Sequence, residues 1–180
     1  MIGKGKSISH GVAALEYDLA KEINGQAVAT EIARHELYGC TGAEMVQEMK
    51  PYHIDFPNVK NNCLRFEVSP SIEESATFTD ADWAELGNDF MQRMGLANHQ
   101  YIIIRHSGTE SKKEQAHLHI LANRVSLSGE LYRDNWIGKK ATEAANAIAK
   151  ERNFVQSQDI GKVNKAEIKE AMDGVLKKMQ

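Results

Sequence analysis

Two histidines one residue apart on a β-forming segment present two imidazoles to the same side. His117-Leu118-His119-Ile120-Leu121-Ala122-Asn123 has this pattern. Strand side chains alternate, so His117, His119, Leu121 and Asn123 share one face while Leu118, Ile120 and Ala122 take the other. Imidazoles held in that way are ligands for a divalent cation. Upstream, Tyr101-Ile102-Ile103-Ile104-Arg105-His106 is also strongly β-forming and places Ile102, Ile104 and His106 on one side. Paired as a hairpin, the two strands bring His106 towards His117 and His119. Three histidine ligands leave positions open for water and substrate oxygens, as a catalytic metal requires. An H-x-H pair arises easily by chance in a chain with seven histidines. The matched parity of His106, with Asn123 on the same face as the pair, favours the metal site. His10, His35, His53 and His99 lack such an arrangement and are read as surface or structural.

A metal that can hold a phosphate oxygen raises the question of a nucleophile. In a predicted helix after Ser9, Val12, Leu15, Leu19 and Ile23 fall on one stripe, and Tyr17 points nearly opposite. Core filler would sit on the stripe. A phenol, with a pKa of about 10, is a poor nucleophile at neutral pH. Tyrosine nevertheless forms covalent intermediates, and a nearby cation neutralises charge as an attack develops. Tyr101 in its apolar strand, Tyr38 and Tyr52 in poorly defined segments, and Tyr132 after a turn are less suited to the task.

These residues need elements to position them. The opening Met1 to Ile8 reads as a short strand interrupted by glycines, and the helix carrying Tyr17 is predicted to have Ser9 as its N-cap and to end at Asn24-Gly25. Residues 27–38 are ambiguous between strand and loop. A second helix is predicted from Gly42 to Met49, stopped by Pro51. Residues 62–69 alternate as a strand. Thr79 to Asp82 resembles a capping box, opening a helix with Trp83, Leu86, Phe90 and Met94 on one face and Gly95 at its end. The two histidine strands follow, joined by a long polar connection. Further helices are predicted from Ile137 to about Asn153 and from Asn164 onwards, the last with Ile168, Met172, Val175 and Met179 on one stripe. The sum is an α+β fold, a central mainly antiparallel sheet with helices packed on its faces. Residues 1–155 form the predicted catalytic domain. Residues 156–180 are a linker and an amphipathic helix.

At 180 residues, with 42% hydrophobic and 26% charged residues, the chain has enough apolar material for a core and is not of disordered composition. Its net charge of −3 is not the basic balance of a protein that binds nucleic acid over its whole surface, so such a function needs a local patch. Cys40 and Cys63 form no metal-binding pair and read as reduced thiols. No apolar run reaches the length of a membrane span, and Met1 to Ser9 lacks the apolar core of a signal peptide. The expectation is a cytoplasmic protein with no membrane segment.

The sequence resembles the MobA-type relaxases, within the His-hydrophobe-His endonucleases, in three places. These are the opening Met1 to His10 followed by Ala14-Leu15-Glu16-Tyr17, the segment Leu64 to Ser69 ahead of the Trp83 helix, and Arg105-His106 through His117-Leu118-His119 to Asn123-Arg124-Val125. The resemblance implies a DNA relaxase that mobilises plasmids or transposons. Tyr17 would attack a phosphodiester of single-stranded DNA at an origin of transfer, remain joined to the 5′ phosphate and release a 3′ hydroxyl, with religation by reversal. His106, His117 and His119 would hold Mg²⁺ or Mn²⁺, with Asn123 and Glu67 in support, and accessory mobilisation proteins would be further partners. Relatives commonly carry an Asp two positions after the first histidine. This chain has Gly108, leaving that role vacant or passed to Glu110 or Glu114. Full relaxases continue well beyond this length, which implies a further C-terminal region. Lys4, Lys6, Arg105, Lys112, Lys113 and Arg124 flank the site in sequence and are the expected DNA contacts, with Arg133, Lys139 and Lys140 behind them. Two alternatives stand beside this reading. One is a replication initiator, although such proteins typically place the tyrosine after the histidine motif. The other is a DNA-binding accessory module without catalysis.

Overall fold

The computed structural model describes residues 1–108, 115–157, 159 and 162. In chain order the elements are β1 (Ile2–Ile8), α1 (Gly11–Leu19), β2 (Glu22–Ile23), β3 (Gln26–Ala27), β4 (Ala29–His35), α2 (Gly42–Met49) with a 3-10 turn at Lys50–His53, β5 (Cys63–Ser69), α3 (Ile72–Ser75), α4 (Asp80–Arg93), β6 (His99–His106), β7 (His117–Ser126) and α5 (Ile137–Glu151). Five strands form one sheet in the order β1-β5-β7-β6-β4, every neighbouring pair antiparallel. The fold is α+β, as the alternation of strand and helix patterns predicts.

Helices cover both faces of the sheet. On one, Leu64, Phe66, Val68, Ile103, Leu118 and Ile120 meet Trp83, Leu86 and Phe90 of α4 and Ala141, Ala145 and Ile148 of α5 in one apolar cluster. On the other, Ile8, Cys63, Ile102, Ile104 and Leu121 pack against Leu15 of α1 and Met45, Val46 and Met49 of α2. The glycines of β1 have a packing reason. A Cβ on Gly3 would lie 2.4 Å from the Ala141 carbonyl oxygen and 2.6 Å from Ala145 Cβ, so only glycine lets α5 lie this close to the edge strand.

Local signals account for most boundaries. Thr41 and Thr79 cap α2 and α4 in reciprocal boxes with Glu44 and Asp82. Gly95 stands at φ 73° just beyond the end of α4, the left-handed position where glycine carries no steric penalty. The first helix departs from expectation. It is capped by His10, not Ser9, and stops at Leu19, so Ile23 lies in β2. Its buried residues are Gly11, Ala14, Leu15 and Asp18, while Val12 is exposed. Asn24 and Gly25, both at positive φ, form the two-residue turn between β2 and β3. Asn-Gly is the preferred dipeptide for such a hairpin turn, and that preference outweighs its reading as a helix end. The segment left ambiguous contains β4 as an edge strand paired with β6. The C-terminal helix predicted from Asn164, and most of the linker before it, lie outside the described residues. Among the described residues no helix is long and apolar enough to cross a membrane.

Candidate metal centre and its surroundings

The β6–β7 register pairs His106 directly with His117 and Ile104 with His119. All three imidazoles therefore emerge from one end of one sheet face. One nitrogen from each ring lies within 4.8 Å of the others, and ring centroids are 4.5 Å apart for His106 and His119, 4.9 Å for His117 and His119, and 5.3 Å for His106 and His117. His117 Nε2 and His119 Nε2 face each other at 3.1 Å. Metal–nitrogen bonds of about 2.1 Å span ligand atoms roughly 3 to 3.5 Å apart, so this pair already stands at coordinating separation.

The remaining ring nitrogens are engaged, and this fixes which lone pairs point inwards. His106 Nε2–H donates to the Asp18 carbonyl at 2.7 Å, leaving Nδ1 for the cluster. His117 Nδ1–H donates to the Gln115 carbonyl at 3.1 Å, leaving Nε2. Gln115 is itself tied to the end of β5 through Ser69 Oγ and the Pro70 carbonyl. His119 Nδ1 lies 3.4 Å from Arg65 Nη2 and 3.8 Å from Asp18 Oδ1. Burial lowers the pKa of His106, and burial together with the neighbouring His106, His117, Arg65 and Lys21 pushes His119 down to about 2. Both rings are neutral at physiological pH. Convergent imidazoles, two of them oriented by carbonyls behind them, are the donor set a divalent cation needs. The residues present fit the group.

Around the cluster the sequence-predicted residues fall into three sets. Lys4, Lys6 and Glu67 are beside it, since Glu67 pairs with His119 across β5 and β7, and Lys4 with Glu67 across β1 and β5. Together with Gly5, Arg65, Phe66 and His119 they line a shallow groove of about 200 Å³. Lys4 Nζ donates to Glu67 Oε1 at 2.9 Å. Tyr17, 56% exposed, is on the open side of α1, and Lys21 Nζ donates to its Oη at 2.5 Å while lying 4.8 Å from the ring centroid. The charge of Lys21 also contributes, in small part, to the lowered pKa of His106 and His119.

Three residues are not brought to the histidines. Asn123 shares their face but lies four residues beyond His119, roughly 13 Å along the strand. It is fully buried and bonded to His53 Nε2, the Met49 carbonyl, Gln100 Oε1 and the Val125 amide. Arg105 has the parity of the opposite face and is bound to Asp80 Oδ1 at 2.5 Å, at the start of α4. Arg124 clamps Asp134 at 2.6 Å and the Asn61 and Tyr132 carbonyls. The strand alternation that selects the histidines also sends Arg105 away from them. Lys112, Lys113, Glu110 and Glu114 lie outside the described residues.

Sequence reasoning missed Asp18, Arg65 and Lys21. Arg65 Nε and Nη2 donate to the two oxygens of Asp18 at 3.1 and 2.5 Å, and Asp18 is 1% exposed. The signals were present. Arg65 shares the parity of Glu67, and Asp18 follows Ala14 and Leu15 at helical spacing. A model of the relaxase family, described as the MobA/VirD2-like nuclease domain, matches residues 17–154. A comparison with curated proteins found no match. The matched region takes in α1 from Tyr17 onwards, every later strand and the whole histidine cluster, and the chain belongs to the MobA/VirD2-like relaxase nuclease-domain family.

Proposed function

We propose that the chain nicks one strand of DNA at an origin of transfer by tyrosine transesterification, using Tyr17 as nucleophile and a divalent cation held by His106, His117 and His119, and rejoins it after transfer. The observation that carries this reading is the convergence of three histidines, two buried and one half-buried, with His106 bonded to the carbonyl of Asp18, the residue that follows Tyr17 in α1. A divalent ion held there, Mg²⁺ or Mn²⁺, with the all-nitrogen donor set favouring Mn²⁺, would polarise the scissile phosphate.

The chain's own residues do the rest. Tyr17 Oη forms a bond to phosphorus, the bond from phosphorus to the 3′ oxygen breaks, the phenolic proton passes to solvent, and the 3′ oxygen takes up a proton to become a hydroxyl. Lys21 holds Oη by a hydrogen bond and sets a positive charge beside the oxygen as it becomes anionic. One phosphodiester replaces another, so the exchange is close to isoenergetic and reverses when the 3′ hydroxyl returns. Lys4, Lys6 and Arg65 give the groove a local basic character on a chain of net charge −3. That supports single-stranded DNA as the substrate, lying against β1 and β5 with phosphates towards the lysines. Residues 1–155 would carry this activity, in the cytoplasm, with accessory mobilisation proteins as further partners.

The test is incubation with labelled single-stranded transfer-origin DNA and Mn²⁺, read on a denaturing gel. A slow-migrating covalent adduct is expected from the unaltered protein and none from Tyr17→Phe. An adduct that persists in Tyr17→Phe, or that forms equally well with a chelator present, would sink the assignment.

A further inference from the structure

We propose that Asp18 is a positioning residue that ties the tyrosine helix to the metal centre, its carbonyl fixing His106 and its carboxylate orienting His119 when a cation is bound. This rests on reading the three histidines as a metal site. Asp18 meets two of the three ligand rings from outside the cluster, and it is the immediate neighbour of Tyr17.

The argument starts from burial. A carboxylate that is 1% exposed must be paired, and Arg65 supplies two donors. If that were its whole role, Asp18 would be a clamp between α1 and β5. The position of His119 makes it more. Without a cation, His119 Nδ1 can accept from Arg65 Nη2 at 3.4 Å while Nε2–H points at His117 Nε2 at 3.1 Å. A ring whose Nε2 lone pair is given to a cation carries its proton on Nδ1. That nitrogen is then a donor, and it can no longer accept from a guanidinium. The carboxylate oxygen nearest to it is Asp18 Oδ1 at 3.8 Å, and closing to a normal hydrogen bond of about 2.9 Å needs a shift of roughly 1 Å. Carboxylates behind metal-bound imidazoles fix tautomer and ring direction, and losing one typically weakens metal binding by about 10- to 100-fold. Asp18 also holds His106 through its main chain, so drawing the two rings together on a cation fixes residue 18 and, with it, the residue before it. Metal binding and the placement of Tyr17 then become one event.

Mn²⁺ titration by calorimetry separates this from a plain ion pair. In the full chain, Asp18→Asn keeps the shape and the carbonyl but loses the carboxylate, and its Kd for Mn²⁺ is expected to rise about 10- to 100-fold. Arg65→Gln breaks the same ion pair yet removes a positive charge beside a ligand ring, so its Kd is expected to be unchanged or lower. Should Arg65→Gln fail to fold, Arg65→Lys keeps the charge and is expected to bind Mn²⁺ like the unaltered protein. Hydrogen exchange gives a second readout, with Mn²⁺ slowing exchange of the α1 amides in the unaltered protein but not in Asp18→Asn. Equal weakening in both ion-pair variants, or Mn²⁺ affinity untouched by Asp18→Asn, would overturn the proposal. Failure of the metal reading is distinguishable, because the unaltered protein would then bind Mn²⁺ no better than His119→Ala.

Discussion

The two faces of β7 put the same ten residues to opposite uses. Leu118, Ile120 and Ala122 are sealed under α4 and α5, wholly apolar and fully buried. His117, His119, Leu121 and Asn123 look towards α1 and α2, and only the middle of that face is apolar. At one end stands the histidine cluster, at the other a hydrogen-bonded Asn123, with Leu121 insulating one from the other. Strand alternation gives each residue one face and no choice. A protein built this way can keep its stability on one side and alter the chemistry on the other, because few side chains serve both. Arg105 and His106 make the same point on β6, adjacent in sequence and divided by the sheet.

That division can be tested by substitution. The largest loss of stability is expected on the sealed side. Ile120→Ala should cost about 2–5 kcal/mol in denaturant unfolding, since a fully buried branched side chain leaves a cavity, while Mn²⁺ affinity of the folded fraction stays unchanged. His119→Ala should do the reverse, abolishing Mn²⁺ binding with a smaller loss of stability. If both variants lose metal and stability together, the two faces are not independent.

Within the chemical face, Asn123→Leu should cost about 1–3 kcal/mol by leaving His53, Gln100 and the Met49 carbonyl without their partner. Mn²⁺ affinity should not change. A weakened Mn²⁺ site in this variant would restore Asn123 to the metal centre and dissolve the boundary at Leu121. The smallest effect is expected at the groove. Lys4 is exposed and Glu67 half-buried at the groove edge, so Glu67→Gln should alter stability by less than about 1 kcal/mol. Releasing Lys4 should tighten binding of a labelled single-stranded oligonucleotide at low salt, read by fluorescence anisotropy, and the gain should fade as salt is raised.

The contrast between faces also explains what could be read from the sequence. Alternation and apolar runs report strand faces, so the parity of His106, His117 and His119 and the strands that carry them were legible, as were the capped helices α2 and α4. Tyr17 was legible as a residue off its helix's buried side. Two kinds of information were not. Parity says which face a residue takes but not how far along the strand its neighbours lie, and so Asn123 was grouped with histidines that it does not touch. Partners on distant elements are also silent. Asp18 breaks an apolar stripe and so looks like a surface residue until Arg65, 47 positions later, is seen to neutralise it. Val12 and Ile23 were assigned to the buried stripe by hydrophobicity, whereas the close approach of α1 to Cys63 requires the small residue Gly11, whose added Cβ would lie 2.6 Å from the Cys63 sulfur.

The strand order β1-β5-β7-β6-β4 has a consequence for how the molecule comes apart. The histidines sit on β6 and β7, neighbours in sequence and interior to the sheet, flanked on both sides by other strands. The tyrosine helix follows β1, an edge strand with one neighbour, whose partner residues on β5 lie 55 to 67 positions away. Partial opening of a folded protein begins at edges and at contacts that close long loops, because these return the most chain entropy for the fewest bonds broken. The end of the chain that carries Tyr17 can therefore detach while the histidine hairpin stays whole. On the function proposed above, the covalent tether would lie on the part that yields first and the metal ligands on the part that yields last.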